Sequence, residues 1–286
     1  MGRVRHAVLG GTFDHLHVGH EALLATAFRV GRSVSIGLTT EAYLAEHPKP
    51  FPRELEPYRR RRANLERWLR SHYPARRWRL VPLENRFGRS VEDGVDALVV
   101  SADTVAGGRA VNAERRRLGR SRLPLVVVPV ALADDLEPVS SRRIRAGTID
   151  AQGRRRAPLE IRVAVELGAD LPAIVAALAA AFPAPRVRAA RSPRVSSRAR
   201  TTARARHLAE SAIDGADLGI GVARAARGSG AVAVRSAGVG LPARRFPPGG
   251  AGALEGTLLA LVRPDLGRKV FVRPPTSRQR WRRTSG

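Results

Sequence analysis

His17 and His20 stand three residues apart around Gly19, directly after the run Gly10-Gly11-Thr12-Phe13-Asp14-His15-Leu16. That spacing, at the start of a helix, puts both imidazoles on one side of the turn. Two adjacent glycines let backbone come close to a phosphate chain. The helix N-terminus adds unpaired N–H groups and a partial positive charge, which favour phosphate. Imidazole donors aimed at phosphate oxygens suit a transition state in which negative charge builds up there. A second segment, Val139-Ser140-Ser141-Arg142-Arg143-Ile144-Arg145, carries compatible chemistry. Its serines can cap a helix and bond phosphate, and its arginines present planar forks to phosphate oxygens. His6, His47 and His72 are isolated and read as surface residues, and His15 as a structural member of the first motif. Trp68 and Trp78 read as packing residues.

These segments need elements to hold them. Val4–Leu9 is a short apolar run ending at Gly10-Gly11 and predicts a buried strand. His20–Arg29, with Leu23, Leu24 and Phe28 at helical spacing, predicts a helix, and Ser33–Leu38 a second strand. Tyr58–His72 predicts a charged helix with Leu65, Trp68 and Leu69 on one face. Strands follow at Arg79–Leu83, Ala97–Val100 and Leu125–Val130, with helices at Val111–Leu118 and Ser140–Ala146. Such alternation implies a parallel sheet covered on both faces, with ligands beyond the carboxyl ends of the strands. The residues after Leu9 are where chemistry is expected.

The chain is 286 residues long, enough for two domains. Residues 1–150 form the first, 151–158 a linker rich in Arg and Gly, 159–275 a second α/β domain and 276–286 a basic tail. In the second domain, strands are predicted at Ile161–Val165, Leu218–Val222 and Ala231–Val234, and helices at Leu171–Phe182 and Ala203–Ile213. The chain has no cysteine, which excludes disulfides, thiolate zinc sites and cysteine nucleophiles. No apolar run approaches the roughly 20 residues of a membrane helix, and no signal pattern is seen at the start. A soluble, cytoplasmic protein is expected, and a homo-oligomer is left open.

The formal net charge of +26 invites a nucleic-acid reading. Residues 1–150 hold 26 Lys/Arg against 17 Asp/Glu, and residues 151–286 hold 25 against 8. Lys49 and Lys269 are the only lysines. With no zinc-finger spacing and no aromatic-studded RNA-binding strand, a general arginine bias explains the excess at least as well. A basic nucleic-acid-binding protein on a former enzyme scaffold is kept as the alternative of a different class.

Gly10–His20 and Val139–Arg145 resemble the HxGH nucleotidyltransferase superfamily, with its ISSTRIR-type second motif. Arg142 stands where that motif usually has Thr. Intervening stretches resemble one branch, the archaeal and eukaryotic-type phosphopantetheine adenylyltransferases: Ile36–Thr40, Tyr58–Arg62, Leu98–Thr104 and Asn112–Arg116. The resemblance covers residues 1–150 almost throughout. It implies a Rossmann-like parallel-sheet domain, ATP and 4′-phosphopantetheine as substrates, and Mg²⁺ carried through the ATP phosphates with no protein metal site. It also implies residue roles. His20 stabilises charge on the α-phosphate and His17 holds ATP phosphates. Gly11, Thr12 and Phe13 seat the nucleotide, with the Thr12 hydroxyl near the acceptor phosphate. Lys49 serves the acceptor phosphate, and Ser140, Ser141 and Arg143 grip the β- and γ-phosphates. Other acceptors of the superfamily stay open: nicotinamide mononucleotide, a flavin nucleotide or an alcohol phosphate.

The second half resembles the inosine/xanthosine triphosphatase family at Ile161–Phe182, Thr201–Ala212, Ala216–Val222 and Gly252–Gly256. It departs where that family does its chemistry. Glu166–Pro172 has no phosphate-loop lysine, Ala223 and Arg224 stand where a glutamate is usual, and Ser196–Arg206 holds no carboxylate. Hydrolysis of a triphosphate needs oxygen ligands for its metal. The expectation is a degenerate domain with a structural or dimer-contact role.

Overall fold

A computed structural model describes residues 3–166, 171–182, 185–190, 199–225, 229–238, 240–248 and 250–262. The expected basic tail at 276–286 lies outside the described residues, as do residues 167–170 of the Glu166–Pro172 stretch. Among the described residues, no helix is long and apolar enough to cross a membrane.

The first half is a five-stranded sheet, all of whose pairings are parallel, in the order β3-β2-β1-β4-β5. Its strands are β1 (Val4–Gly11), β2 (Gly31–Thr39), β3 (Arg77–Leu83), β4 (Ala97–Ser101) and β5 (Leu125–Val128). Helices α1 (Val18–Val30), α2 (Glu41–Glu46), α3 (Tyr58–His72), α4 (Val105–Arg117) and α5 (Ser141–Arg145) complete it. β1 is central, and the strand order reverses between β1 and β4, so the crevice at their carboxyl ends is where such sheets bind ligands. One face buries Leu24, Phe28, Leu65 and Leu69 of α1 and α3 against Leu9, Ile36 and Leu38. The other packs Val111 of α4 against Val8, Leu98 and Val100.

Helix α3 occupies the stretch its apolar spacing predicts. Helix α4 begins well before the expected Val111, because Gly107-Gly108 reads as a breaker yet lies inside the helix. Gly108 is there for closeness: a Cβ would sit 3.2 Å from both Leu125 and Val100 side chains. The sequence reading missed α2, which Thr40 caps through its hydroxyl on the Tyr43 amide.

The second half is a mixed sheet in the order β10-β9-β8-β6-β7. It comprises β6 (Glu160–Val165), α6 (Leu171–Ala181), β7 (Arg186–Ala189), α7 (Thr201–Ala212), β8 (Leu218–Arg224), β9 (Gly230–Arg235), β10 (Arg244–Phe246) and α8 (Gly250–Val262). Strands β7, β6 and β8 run parallel, while β9 and β10 are antiparallel additions. Strands β7 and β10 and helix α8 were not foreseen. Glycines hid the last of these, although Leu254, Leu258 and Leu261 bury at helical spacing along it. Segment 131–158 joins the halves as an ordered crosspiece. Leu132 and Leu136 sit in the core of the second domain with Ile161, Ile220 and Leu258.

Helix α7 rests directly on β8 at two glycines. A Cβ at Gly219 would collide with the Ala209 carbonyl, and one at Gly221 with the Ala205 carbonyl. Backbone cannot yield as a side-chain tip can, so overpacking is costly here. Gly221→Val is expected to lower stability by at least about 2 kcal/mol. Urea unfolding followed by circular dichroism measures it, and an unchanged midpoint would refute this account of the α7–β8 contact.

Candidate active site

Strand β1 ends at Gly10-Gly11, and the chain turns through Phe13 (φ 47°) and His15 (φ 45°), both in the left-handed region, before α1 begins. Non-glycine residues hold that conformation only when their surroundings enforce it. Phe13 is enforced by burial, at 1% exposure. His15 is pinned by its amide on Glu56 Oε2 (2.9 Å) and its ring Nε2 on the Glu54 carbonyl (2.8 Å), a structural role.

His17 is the N-cap of α1, and its Nδ1 accepts the Gly19 amide at 3.1 Å. An accepting Nδ1 carries no proton, so the neutral ring bears its proton on Nε2. Gly19 is required for this fold-back, because a Cβ there would approach the His17 ring at 3.0 Å. The His20 ring stacks on His17 with centroids 3.8 Å apart and meets Phe13 at 5.1 Å. His20 Nδ1 is buried without a hydrogen-bond partner. Burial, with a smaller contribution from His15, lowers the His17 pKa to about 4. Burial, and then His17, depresses His20 well below the ordinary imidazole value. Both rings are neutral near pH 7. The helix amides are less open than expected: the Ala151 carbonyl takes the Val18 amide at 3.1 Å and His17 takes that of Gly19.

A buried polar network draws the second motif onto the first. Asp14 is fully buried; its carboxylate accepts the Glu56 amide (2.9 Å) and pairs with Arg145, while its carbonyl accepts the Ser141 hydroxyl (2.7 Å). Arg145 Nε also donates to the Pro50 carbonyl (3.0 Å), tying down the loop that presents the exposed Lys49. Arg61, equally buried, donates to the carbonyls of Glu56 (2.9 Å), Thr12 (2.8 Å) and Thr39 (3.0 Å). Asp14, Arg61 and Arg145 were given no role from sequence. Asp14 is the one acid in its motif, while Arg61 is concealed in a run of four arginines.

Ser140 caps α5, accepting the Arg143 amide on its hydroxyl at 3.4 Å. Arg143 is largely covered; its guanidinium bonds the Pro138 carbonyl (3.2 Å) and pairs with Asp135. Arg142, the departure from the usual motif, points to solvent. The Val139 carbonyl lies beside Gly19, so Ser140 follows directly from the His17–Gly19 turn in space. Ser140 and Ser141 thus lie against the turn that carries Gly11, Thr12, Phe13, His17 and His20, while the Arg143 side chain contacts Pro138 and Asp135. Lys49 reaches the assembly only through its loop.

On the α4 face of the sheet a cavity of about 150 Å³ reaches Gly10. Leu9, Gly37, Leu83, Phe87 and Gly107 line it, with Arg86 among the polar members. No group of three or more His, Asp or Glu able to hold a metal occurs among the described residues.

The cytidylyltransferase-like family model matches residues 8–147. The phosphopantetheine adenylyltransferase of Methanopyrus kandleri is 38% identical over 151 residues, spanning 52% of this chain and 94% of that relative. The phosphopantetheine adenylyltransferase of Pyrococcus horikoshii is 38% identical over 159 residues, 55% of this chain and 99% of that one. A Thermoplasma volcanium protein named bifunctional phosphopantetheine adenylyltransferase/NTP phosphatase is 36% identical over 167 residues, 58% of this chain and 49% of that relative.

The depressed histidines make stability depend on pH. With a native pKa below the unfolded value, the unfolded chain binds a proton that the native chain refuses between pH 6.5 and about 4. Stability is full above pH 6.5 and falls as the pH drops through that window. The expected loss from His17 is about 2 kcal/mol between pH 7.5 and 5. Urea unfolding at both values, in the wild type and in His17→Gln, checks this. Equal pH slopes in the two proteins would contradict it.

Proposed function

The chain belongs to the phosphopantetheine adenylyltransferase family, and we propose how its residues divide the transfer of an adenylyl group from ATP to 4′-phosphopantetheine. An acceptor phosphate oxygen forms a bond to the α-phosphorus. The bond from that phosphorus to the oxygen bridging it to the β-phosphorus breaks, and its electron pair leaves with pyrophosphate. The other product is dephospho-coenzyme A. No residue is covalently modified, so the protein's work is to align the two phosphates and neutralise charge.

The stacked, neutral, desolvated His17–His20 pair at the end of β1 is the observation that carries this reading. His20 stabilises the charge gathering on the α-phosphate. His17, its proton held on Nε2 by the Gly19 contact, donates to the ATP phosphates. A partly dehydrated imidazole responds strongly to an incoming anion, because the local dielectric is low. Gly11 and the backbone of Thr12 and Phe13 seat the nucleotide, with the Thr12 carbonyl fixed by Arg61. Ser140, Ser141 and Arg143 hold the β- and γ-phosphates. The Ser141 hydroxyl proton already serves Asp14, so Arg143 and the Ser140 hydroxyl carry most of that grip. Lys49 meets the acceptor phosphate from its tethered loop.

Mg²⁺ belongs to the ATP phosphates in this scheme. The nearby carboxylates of Asp14, Glu56 and Asp135 are already committed to arginines. The ion supplies charge neutralisation to the triphosphate. The apolar cavity beneath Gly10 receives the arm of the acceptor beyond its phosphate. Such a substrate pair belongs to the cytoplasm.

Two measurements test the assignment. Pyrophosphate and dephospho-coenzyme A are followed with ATP, Mg²⁺ and 4′-phosphopantetheine, with the other nucleotide acceptors of the superfamily run in parallel. His20→Ala is expected to lower kcat about a hundredfold to a thousandfold. Wild-type activity that survives the substitution would remove His20 from the mechanism. Gly107 lines the cavity, and a Cβ there meets nothing within 4 Å. Gly107→Leu is expected to raise KM for 4′-phosphopantetheine about tenfold and leave KM for ATP unchanged. An acceptor KM that does not move would place the arm elsewhere.

A further inference from the structure

A chain of four alternating charges runs from the second domain to Arg143. Asp217, in the turn before β8, accepts Arg155 Nη2 at 3.0 Å and the Glu160 amide at 2.9 Å on the same oxygen. Arg155 Nη1 reaches Asp135 Oδ2 at 3.1 Å, and that same oxygen pairs with Arg143. Asp135 is 3% exposed, so its charge cannot fall back on water. The segment bearing it is anchored in the second domain twice more. Leu132 and Leu136 are buried in that domain's core. Glu137 Oε1 accepts the Ser236 hydroxyl (2.8 Å) and the Gly238 amide (2.6 Å). A Cβ at Gly238 would stand 2.7 Å from Glu137 Oε2, so a larger residue there would displace the carboxylate.

The second domain's own strand ends are otherwise engaged. At the carboxyl ends of β6 and β8, Glu166 is clasped by Arg204 Nε (2.7 Å) and Nη2 (3.2 Å) and accepts the Arg224 amide (2.8 Å). The Glu166 carboxylate is thereby committed to an arginine and a backbone amide.

We propose that the second domain serves the first as a positioning element, with Asp217, Arg155 and Asp135 holding the Arg143 guanidinium at the ATP phosphates. The proposal rests on the reading of Arg143 as a phosphate ligand. Its logic is charge balance. Two carboxylates face two guanidiniums: both arginines share Asp135 Oδ2, and Asp217 gives Arg155 a second carboxylate that lessens its claim on that oxygen. When Asp217 loses its charge, Arg155 turns wholly to Asp135 and draws it from Arg143. A group displaced by a fraction of an ångström grips a phosphate poorly.

Steady-state kinetics on the full chain test this. Asp217→Asn is expected to raise KM for ATP threefold to tenfold, with KM for 4′-phosphopantetheine and kcat within twofold of wild type. Asp217→Glu, which keeps the charge, restores most of the loss. In an Arg143→Ala background Asp217→Asn adds nothing, because the two act through one group. Leu208→Ala weakens the second domain on its α7 face, outside the cluster that buries Leu132 and Leu136, and is expected to lower Tm without moving KM for ATP below the melting range. If Asp217→Asn does not fold, Arg155→Lys replaces it, keeping the charge but losing the fork. An unaltered KM for ATP in Arg143→Ala would overturn the reading of Arg143. An effect of Arg143→Ala with none from Asp217→Asn or Arg155→Lys would overturn the coupling. So would a Leu208→Ala protein whose KM for ATP rises as much as that of Asp217→Asn.

Discussion

A carboxylate with no exposure to solvent sets the terms for the first domain. Asp14 cannot keep its charge in a low-dielectric interior without a cation and hydrogen-bond donors around it. Arg145 supplies the cation and the Glu56 amide supplies a donor. Those partners come from chain positions far apart, so satisfying one oxygen pair brings the phosphate-facing turn, the loop before α3 and helix α5 to one place. Arg61 repeats the device from the other direction by gathering three carbonyls. Buried pairs of this kind contribute little net stability compared with apolar packing, but removing one member leaves an uncompensated charge costing about 3–5 kcal/mol. Their yield here is geometry: two motifs over a hundred residues apart are held in one arrangement.

The histidines follow an opposite electrostatic rule. They are buried as neutral groups, and among the described residues no carboxylate pairs with either ring. A pair of rings kept neutral by burial responds to any charge brought beside it more strongly than a solvated pair would. Gly19 is central to that arrangement, because a Cβ at that position would press on the His17 ring at 3.0 Å.

The strands and the motif were legible in the sequence because both are local. A buried strand shows as an apolar run, and Gly10-Gly11 before His17 and His20 shows as a turn. What escaped was non-local or masked. Helix α4 was cut short because Gly107-Gly108 signals a break unless one knows that Val100 and Leu125 press against it. Helix α8 was missed because its glycines obscured a regular leucine spacing. Arg61 could not be told from its neighbours Arg59, Arg60 and Arg62, since only burial distinguishes them. Asp135 and Asp217 carry no sequence signal at all; their meaning exists only once Arg155 lies between them.

The placement of Leu132 and Leu136 in the second core bears on how such a protein changes over generations. Two enzymes joined end to end would remain free to diverge, lose or exchange either half. Here the strip preceding helix α5 supplies apolar volume to its neighbour, so neither gene segment can be deleted without uncovering the other. The second half is then retained by selection on the first. Drift in such chains is channelled to the surfaces that the crosspiece does not touch.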